Sequence, residues 1–250
     1  NQAITITGKT IKENIKKIEC KNRKVILNYN QPIKENAGFL VLKSNFFDSA
    51  IMKMSVVSDD FKKRYLSNKD HPMEFTARAI IFDGPEHYHA EINNPDLNID
   101  ENCILMIRGC GPVGYPGAAE VVNMQPPDHL LKKGISSLPC LGDGRQSGTS
   151  ESPSILNVSP EAAVGGKLAI IQNNDKVRVD LINKRVDLLV EENEINERIK
   201  NNKFKFPPNQ TPWQEIAREY VGQLGEGACL DLKEKYLDIA IEKGIPRDNH

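Results

Sequence analysis

The chain has no C-x-x-C pair among its five cysteines, Cys20, Cys103, Cys110, Cys140 and Cys229. An odd number without that spacing argues against a structural zinc site and against a disulfide framework, and reduced thiols in a reducing compartment fit best. An excess of either charge is also missing. Lys+Arg 33 against Asp+Glu 34 leaves a net charge of -1, so no global field points to nucleic acid or to a membrane surface. No apolar run is long enough to span a bilayer, and no basic start, apolar centre and small-residue cleavage site marks a signal peptide. A cytoplasmic location is the expectation. No internal repeat is visible, and an initiator methionine is absent, since residue 1 is Asn1, which leaves open a longer polypeptide.

What is present is ordinary in bulk. With 250 residues, 39% hydrophobic and 27% charged, the chain has room for one large domain or two small ones. From the N-terminus to Phe82 it reads as brief apolar or alternating runs, Ile4 to Ile6, Val25 to Leu27, Phe39 to Leu42, Ile51 to Val57 and Ala79 to Phe82, separated by turn residues. Strands this short and closely spaced suggest a barrel or sandwich core. Cys103 to Ile107 reads as a buried strand, and Leu168 to Ile171, Lys176 to Leu181 and Arg185 to Val190 read as a meander.

Helical signals lie between and after these runs. Asp83-Gly84-Pro85 opens a helix with Tyr88 and Ile92 on one face, while His87 and His89, two apart, face different sides and do not suggest a shared metal. Pro126-Pro127-Asp128 opens a short helix stopped by Gly134, and Ser159-Pro160-Glu161 reads as a capped start ended by Gly165-Gly166. From Glu191 onward the pattern is helical, with a Thr211-Pro212-Trp213-Gln214 capping box and a last helix near Leu230 to Lys243. The expected class is therefore α+β: a barrel-like, mostly β domain over 1–200 flanked by helices, with a helical extension over 201–250 packed on it.

Two loops carry the chemistry. Leu141 to Ala163, LGDGRQSGTSESPSILNVSPEAA, combines Gly142, Gly144 and Gly148 with the hydroxyls of Ser147, Thr149, Ser150 and Ser152. A solvated loop is the commoner fate of such composition. Here the loop is wedged between apolar runs, Ile135 to Leu141 and Ile155 to Val158, and loops held on a scaffold are where sites are built. The second loop, Arg108 to Met124, RGCGPVGYPGAAEVVNM, ends in one carboxylate, Glu120, among small apolar residues. An acid placed there either caps a helix or reaches a cation or substrate, and local sequence favours neither. Cys110, without a paired base, reads as a small buried hydrophobe.

Together FDGPEHYHAEINNPDLNIDENCILMIRGCGPVGYPGAAEVVNM and LGDGRQSGTSESPSILNVSPEAAVGG resemble the C-terminal domain of the dihydroxy-acid dehydratase and phosphogluconate dehydratase family, from about Ile4 through Val190. GDGRQSGTS, SPSILN, TPWQEI and RDNH resemble its sugar-acid branch, which dehydrates pentonates and related aldonates. The resemblance implies a swivelling aconitase-type barrel of about eight strands. It implies a partner N-terminal domain carrying an iron–sulfur cluster on cysteines, 2Fe-2S being the favoured type, and most of a magnesium site that includes a carbamylated lysine. It implies a homodimer or homotetramer, for which the Trp213 face and the terminal helices are candidate contacts.

Carried over by position, Ser147 matches the catalytic serine that removes the C2 proton, Glu120 the carboxylate this domain lends to magnesium, and Thr149 a hydroxyl near the substrate carboxylate. Gly148 and Gly144 beside Ser147 would let backbone N–H groups approach an anionic substrate. Two departures qualify this. The cluster cysteines and the lysine have no counterpart, so the isolated chain is expected to be inactive. Glu151 stands where the sugar-acid branch has a small residue, and its charge could repel an acidic substrate. The alternatives are a dihydroxy-acid dehydratase of branched-chain amino-acid synthesis and a non-catalytic binding or assembly domain.

Overall fold

The structure is a computed structural model that describes residues 3–35, 37–148 and 152–244. Backbone contacts divide the chain into two compact units, Asn1–Ala37 and Gly38–His250. In the first, a Thr10 and Glu13 capping box starts a short helix, Ile11–Ile15, and Ile4 bridges Thr10. None of its described residues is buried. Val25 to Leu27, expected as a strand, forms turns instead. The run is apolar, but Val25 and Ile26 stay 74% and 64% exposed, so no sheet face rewards an extended conformation there.

The second unit is built on eight strands: β1 (Phe39–Ser44), β2 (Ser49–Lys53), β3 (Glu74–Asp83), β4 (Cys103–Arg108), β5 (Cys140–Gly142), β6 (Ser154–Ser159), β7 (Lys176–Asp180) and β8 (Arg185–Leu188). They close into a barrel in the order β1-β2-β6-β5-β4-β3-β7-β8, with β8 pairing β1. This is the mixed, barrel-like α+β domain the sequence suggests. β3, β4, β5 and β6 run parallel to one another, so each is joined to the next by a long crossover, while β3 and β6 pair antiparallel with β7 and β2 on their outer sides.

Sequence pattern explains which strands have one covered face and which have two. In β7, KVRVD, burial alternates with Val177 and Val179 inside, as expected for an antiparallel strand with a wet outer face. In β4, CILMIR, Cys103 to Ile107 are all buried. Its Ile104 and Met106 join the barrel interior with Leu42, Met52, Leu141, Val158 and Val186, while Cys103, Leu105 and Ile107 join a second apolar layer with Phe82, Val122, Leu130 and Leu138. The β2-β6-β5-β4-β3 wall is thus packed on both sides, and the crossover segments supply the outer cover.

Two further expectations need correction. Leu168 to Ile171 is a 3-10 turn, Lys167–Ile170, rather than a strand; its carbonyls are spent on Arg108 instead of a ladder. Ser159-Pro160-Glu161 starts only a three-residue 3-10 turn, Ala162–Val164, closed by Gly165 at φ 92°. The helices expected from the sequence are present at Gly84–Glu91, Asp128–Leu131, Glu192–Lys200, Pro212–Tyr220 and Leu232–Lys243. Among the described residues no helix is long and apolar enough to cross a membrane.

Candidate active site

Parallel β3, β4 and β5 end together, and the chain leaves that end three times. The ends are tied by Arg108, whose Nε donates to Asp83 Oδ1 at 2.5 Å and whose Nη1 donates to the carbonyls of Ala169 at 2.7 Å and Ile171 at 3.0 Å. The crevice beyond the carboxyl ends of parallel strands is where open α/β sheets place their ligands. Both loops singled out in the sequence start here, one after β4 and one after β5.

The base of the site is organised by two buried carboxylates. Asp143, directly after β5, is 0% exposed. Its oxygens accept N–H groups from Cys110 at 2.8 Å, Gly109 at 3.0 Å and Ala162 at 2.9 Å. Burial pushes its carboxyl up to about 6, the three N–H donors pull the other way, and the charge of Glu161 adds to the rise. Glu161, also 0% exposed, accepts from the backbone N–H of Val113 at 2.9 Å and Gly114 at 2.8 Å, and from Gln223 Nε2 at 2.9 Å. Arg218 completes the hold by donating to the carbonyls of Val113 at 2.7 Å and Gly114 at 3.0 Å. The Gly109 to Gly114 path is therefore fixed by polar groups satisfied on both sides.

Against that base the two loops interlock. Arg145 N–H donates to Ala119 O at 3.0 Å, Val122 N–H to Arg145 O at 3.2 Å, and Asn157 N–H to Gly144 O at 2.9 Å. Gly144 is required by this approach, because a Cβ there would sit 2.8 Å from Ala119 O and 3.0 Å from Cys110 Cβ. Its missing side chain makes room for this loop packing. Around Gly148, in contrast, a Cβ would meet nothing within 4 Å among the described residues, and its carbonyl accepts from Lys53 Nζ at 2.9 Å.

Interlocking brings Glu120 and the Ser147 loop to one rim. Glu120 pairs with Arg145, two residues before Ser147, and Arg145 Nε donates to Ala118 O at 2.7 Å. Glu120 and Arg145 are half-exposed, Gly148 is exposed and Ser147 is of intermediate exposure. Thr149 and Glu151 lie outside the described residues. The sequence reading missed Asp143, Glu161 and Arg145. Asp143 was visible as an acid between two loop glycines, but nothing local says that three amides converge on it.

Glu120 suits a divalent cation as a single hard oxygen ligand at an open rim, and among the described residues no group of three or more His, Cys, Asp or Glu could hold one. The cysteines do not suit an iron–sulfur cluster. Cys103, Cys110 and Cys140 are buried in the outer apolar layer, Cys20 is of intermediate exposure and Cys229 is exposed; burial first of all raises the Cys103 thiol to about 11 and the Cys140 thiol to about 12, and it raises that of Cys110 as well. Such thiols are inert packing groups.

The mixed barrel thus carries a hydroxyl, Ser147, a carboxylate, Glu120, and a guanidinium, Arg145, on the loops that leave its parallel-strand ends. A family described as dihydroxy-acid/6-phosphogluconate dehydratase C-terminal matches residues 24–228, and the chain belongs to it. It is 56% identical over 247 residues to a D-xylonate dehydratase of Caulobacter vibrioides, covering 99% of this chain and 41% of that protein. It is 37% identical to an L-arabinonate dehydratase of Rhizobium leguminosarum, covering 99% and 40%, and 32% identical to a dihydroxy-acid dehydratase of Clostridium kluyveri, covering 92% and 39%. The chain thus spans about two fifths of the length of these curated relatives.

Proposed function

We propose that this chain is the C-terminal part of a hydro-lyase that converts a sugar acid, a pentonate or related aldonate, into a 2-keto-3-deoxy acid. The observation that carries the reading is the 56% identity with the D-xylonate dehydratase over nearly the whole chain, against 32% with the dihydroxy-acid dehydratase. The rim geometry supports it. A proton α to a carboxylate is weakly acidic, so its removal needs a strong base and cationic surroundings for the developing enediolate.

Ser147 is the proposed base. Its hydroxyl oxygen, as the alkoxide, takes the C2 proton; the electron pair forms the C2–C3 double bond, the C3–O bond breaks, and the hydroxyl leaves as water with one added proton. The enol then tautomerises to the ketone. Lys53, bound to the Gly148 carbonyl, and Arg145 place positive charge along the loop that bears Ser147, which favours the ionised hydroxyl. Gly148 leaves room for backbone approach to the substrate, and Thr149 is proposed to meet its carboxylate. A magnesium ion, when bound, would neutralise the substrate carboxylate, with Glu120 as this chain's ligand to it. Loss of the C3 hydroxyl is assigned to groups outside this chain, including an iron–sulfur cluster held by the N-terminal domain.

The isolated chain is accordingly proposed to be inactive, and the full enzyme to be cytoplasmic. Residues 201–250 are proposed as an extension that braces the barrel rim through Arg218 and Gln223. A homo-oligomer is proposed through the Pro212–Tyr220 helix, where Trp213 is 77% exposed. The test is anaerobic formation of 2-keto acid by the full-length enzyme from pentonates, hexonates and dihydroxy-isovalerate. Turnover of sugar acids is expected. Turnover of dihydroxy-isovalerate alone would replace the substrate class, and no turnover with iron and magnesium supplied would favour a non-catalytic domain.

A further inference from the structure

The two kinds of carboxylate at this site are bound differently. Asp143 and Glu161 are buried and each accepts three hydrogen bonds. Glu120 has one hydrogen-bond partner among the described residues, the guanidinium of Arg145, and is 44% exposed where Asp143 and Glu161 are 0%. Arg145 itself does not depend on that pair for its place. Its backbone N–H and C=O bond Ala119 and Val122, and its Nε bonds Ala118 O. If Glu120 finds another partner, the guanidinium therefore stays at the rim with a free face, two residues from Ser147.

We infer that Arg145 is the exchange partner of Glu120: it holds this carboxylate while no cation is bound, yields it to the cation, and is thereby freed to pair with the carboxylate of the substrate. The inference rests on the dehydratase reading for the substrate, and on Glu120 as a ligand for the cation. Its physical basis is competition. One carboxylate cannot satisfy a guanidinium and a hard divalent cation fully at once, and a half-exposed ion pair is weak enough to give way. A planar guanidinium matched to a carboxylate is, in turn, the side chain best shaped to hold an acidic substrate. Arg145 thus acts as a positioning residue for Glu120 in one state and as a substrate contact in the other.

The experiment uses the full-length holoenzyme and the variants Arg145→Gln, Arg145→Lys and Glu120→Gln. Magnesium affinity is read without turnover, from the shift of the thermal midpoint with magnesium chloride concentration, and KM and kcat are read with the sugar acid that the wild type turns over. Arg145→Gln should bind magnesium about 2- to 5-fold more tightly, since its competitor is gone. It should raise KM on the order of tenfold, with Arg145→Lys partly restoring both because it keeps the charge but not the fork. Glu120→Gln, which removes the one ligand this chain supplies, should weaken magnesium binding and reduce the magnesium-dependent shift.

Weaker magnesium binding in Arg145→Gln, or magnesium affinity and KM both within twofold of wild type, would overturn the exchange and leave a surface ion pair only. A wild type that turns over no sugar acid would instead sink the substrate reading, while the magnesium titration would still decide whether Arg145 and the cation compete for Glu120.

Discussion

The base and the rim of the candidate site share the same two loops and are built on opposite terms. At the base, Asp143 and Glu161 are out of water and saturated with hydrogen bonds, and their partners are mostly backbone amides of the other loop. At the rim, Glu120 and Arg145 are half-exposed, Ser147 is partly so, and Gly148 is exposed. Buried, satisfied carboxylates fix a shape because every alternative leaves amides unpaired. Exposed groups with few bonds can change partners. The base therefore determines where the rim is, and the rim has the freedom that chemistry needs.

The comparison breaks first if a rim residue proves structural. Ser147→Ala in the full-length enzyme is expected to cut turnover on the order of 10³-fold and to leave the urea midpoint unchanged; a large stability loss with activity retained would move Ser147 to the base. Glu161→Ala is expected to do the reverse. Removing it strands the buried Gly114 N–H, the part-buried Val113 N–H and the Gln223 amide, at a cost of about 3 to 4 kcal/mol, measurable by denaturant unfolding.

A smaller effect concerns pH. The folded carboxyl of Asp143 titrates at about 6, above the value near 4 of an unfolded aspartate. The folded state then holds the proton over a window in which the unfolded state has lost it. This contribution is present in full below about pH 4 and is lost as pH rises to about 6, amounting to about 2 to 3 kcal/mol. Urea unfolding at pH 4 and pH 6.5 should show that loss in the wild type, and Asp143→Asn should lack it. A wild type and an Asp143→Asn variant with the same pH slope would mean that the three amides outweigh burial.

Much of this contrast was legible in the sequence, and the part that was not has a common cause. Short alternating runs announced β1, β2 and β7, and the capping box at Thr211 announced its helix, because those signals are local. Glu120 stood out as the one carboxylate of its Gly-rich loop, while Ser147 was set apart from the other loop hydroxyls only by the family resemblance; the structure brings the two loops to one rim through Arg145. Asp143 and Glu161 did not stand out, since their roles depend on amides 33 and 47 positions away. The apolar run Leu168 to Ile171 misled for the same reason: a distant guanidinium, that of Arg108, takes its carbonyls.

The finest test of base against rim uses two glycines four residues apart. Gly144→Ala would push a methyl to 2.8 Å from the Ala119 carbonyl, a backbone atom that cannot swing aside. Overpacking of that kind costs about 1 to 3 kcal/mol, and it should separate the two loops. Gly148→Ala meets nothing within 4 Å among the described residues, and its backbone is not in the left-handed region. Restricting the unfolded chain should then make it neutral or stabilising by up to about 1 kcal/mol. If Gly148→Ala nevertheless raises KM for the substrate while stability holds, the space beside it is occupied during turnover, and the rim is where the substrate's anionic end lies. If Gly148→Ala unfolds the loop as Gly144→Ala does, the division between a rigid base and a free rim ends before residue 148 and Ser147 belongs to the base.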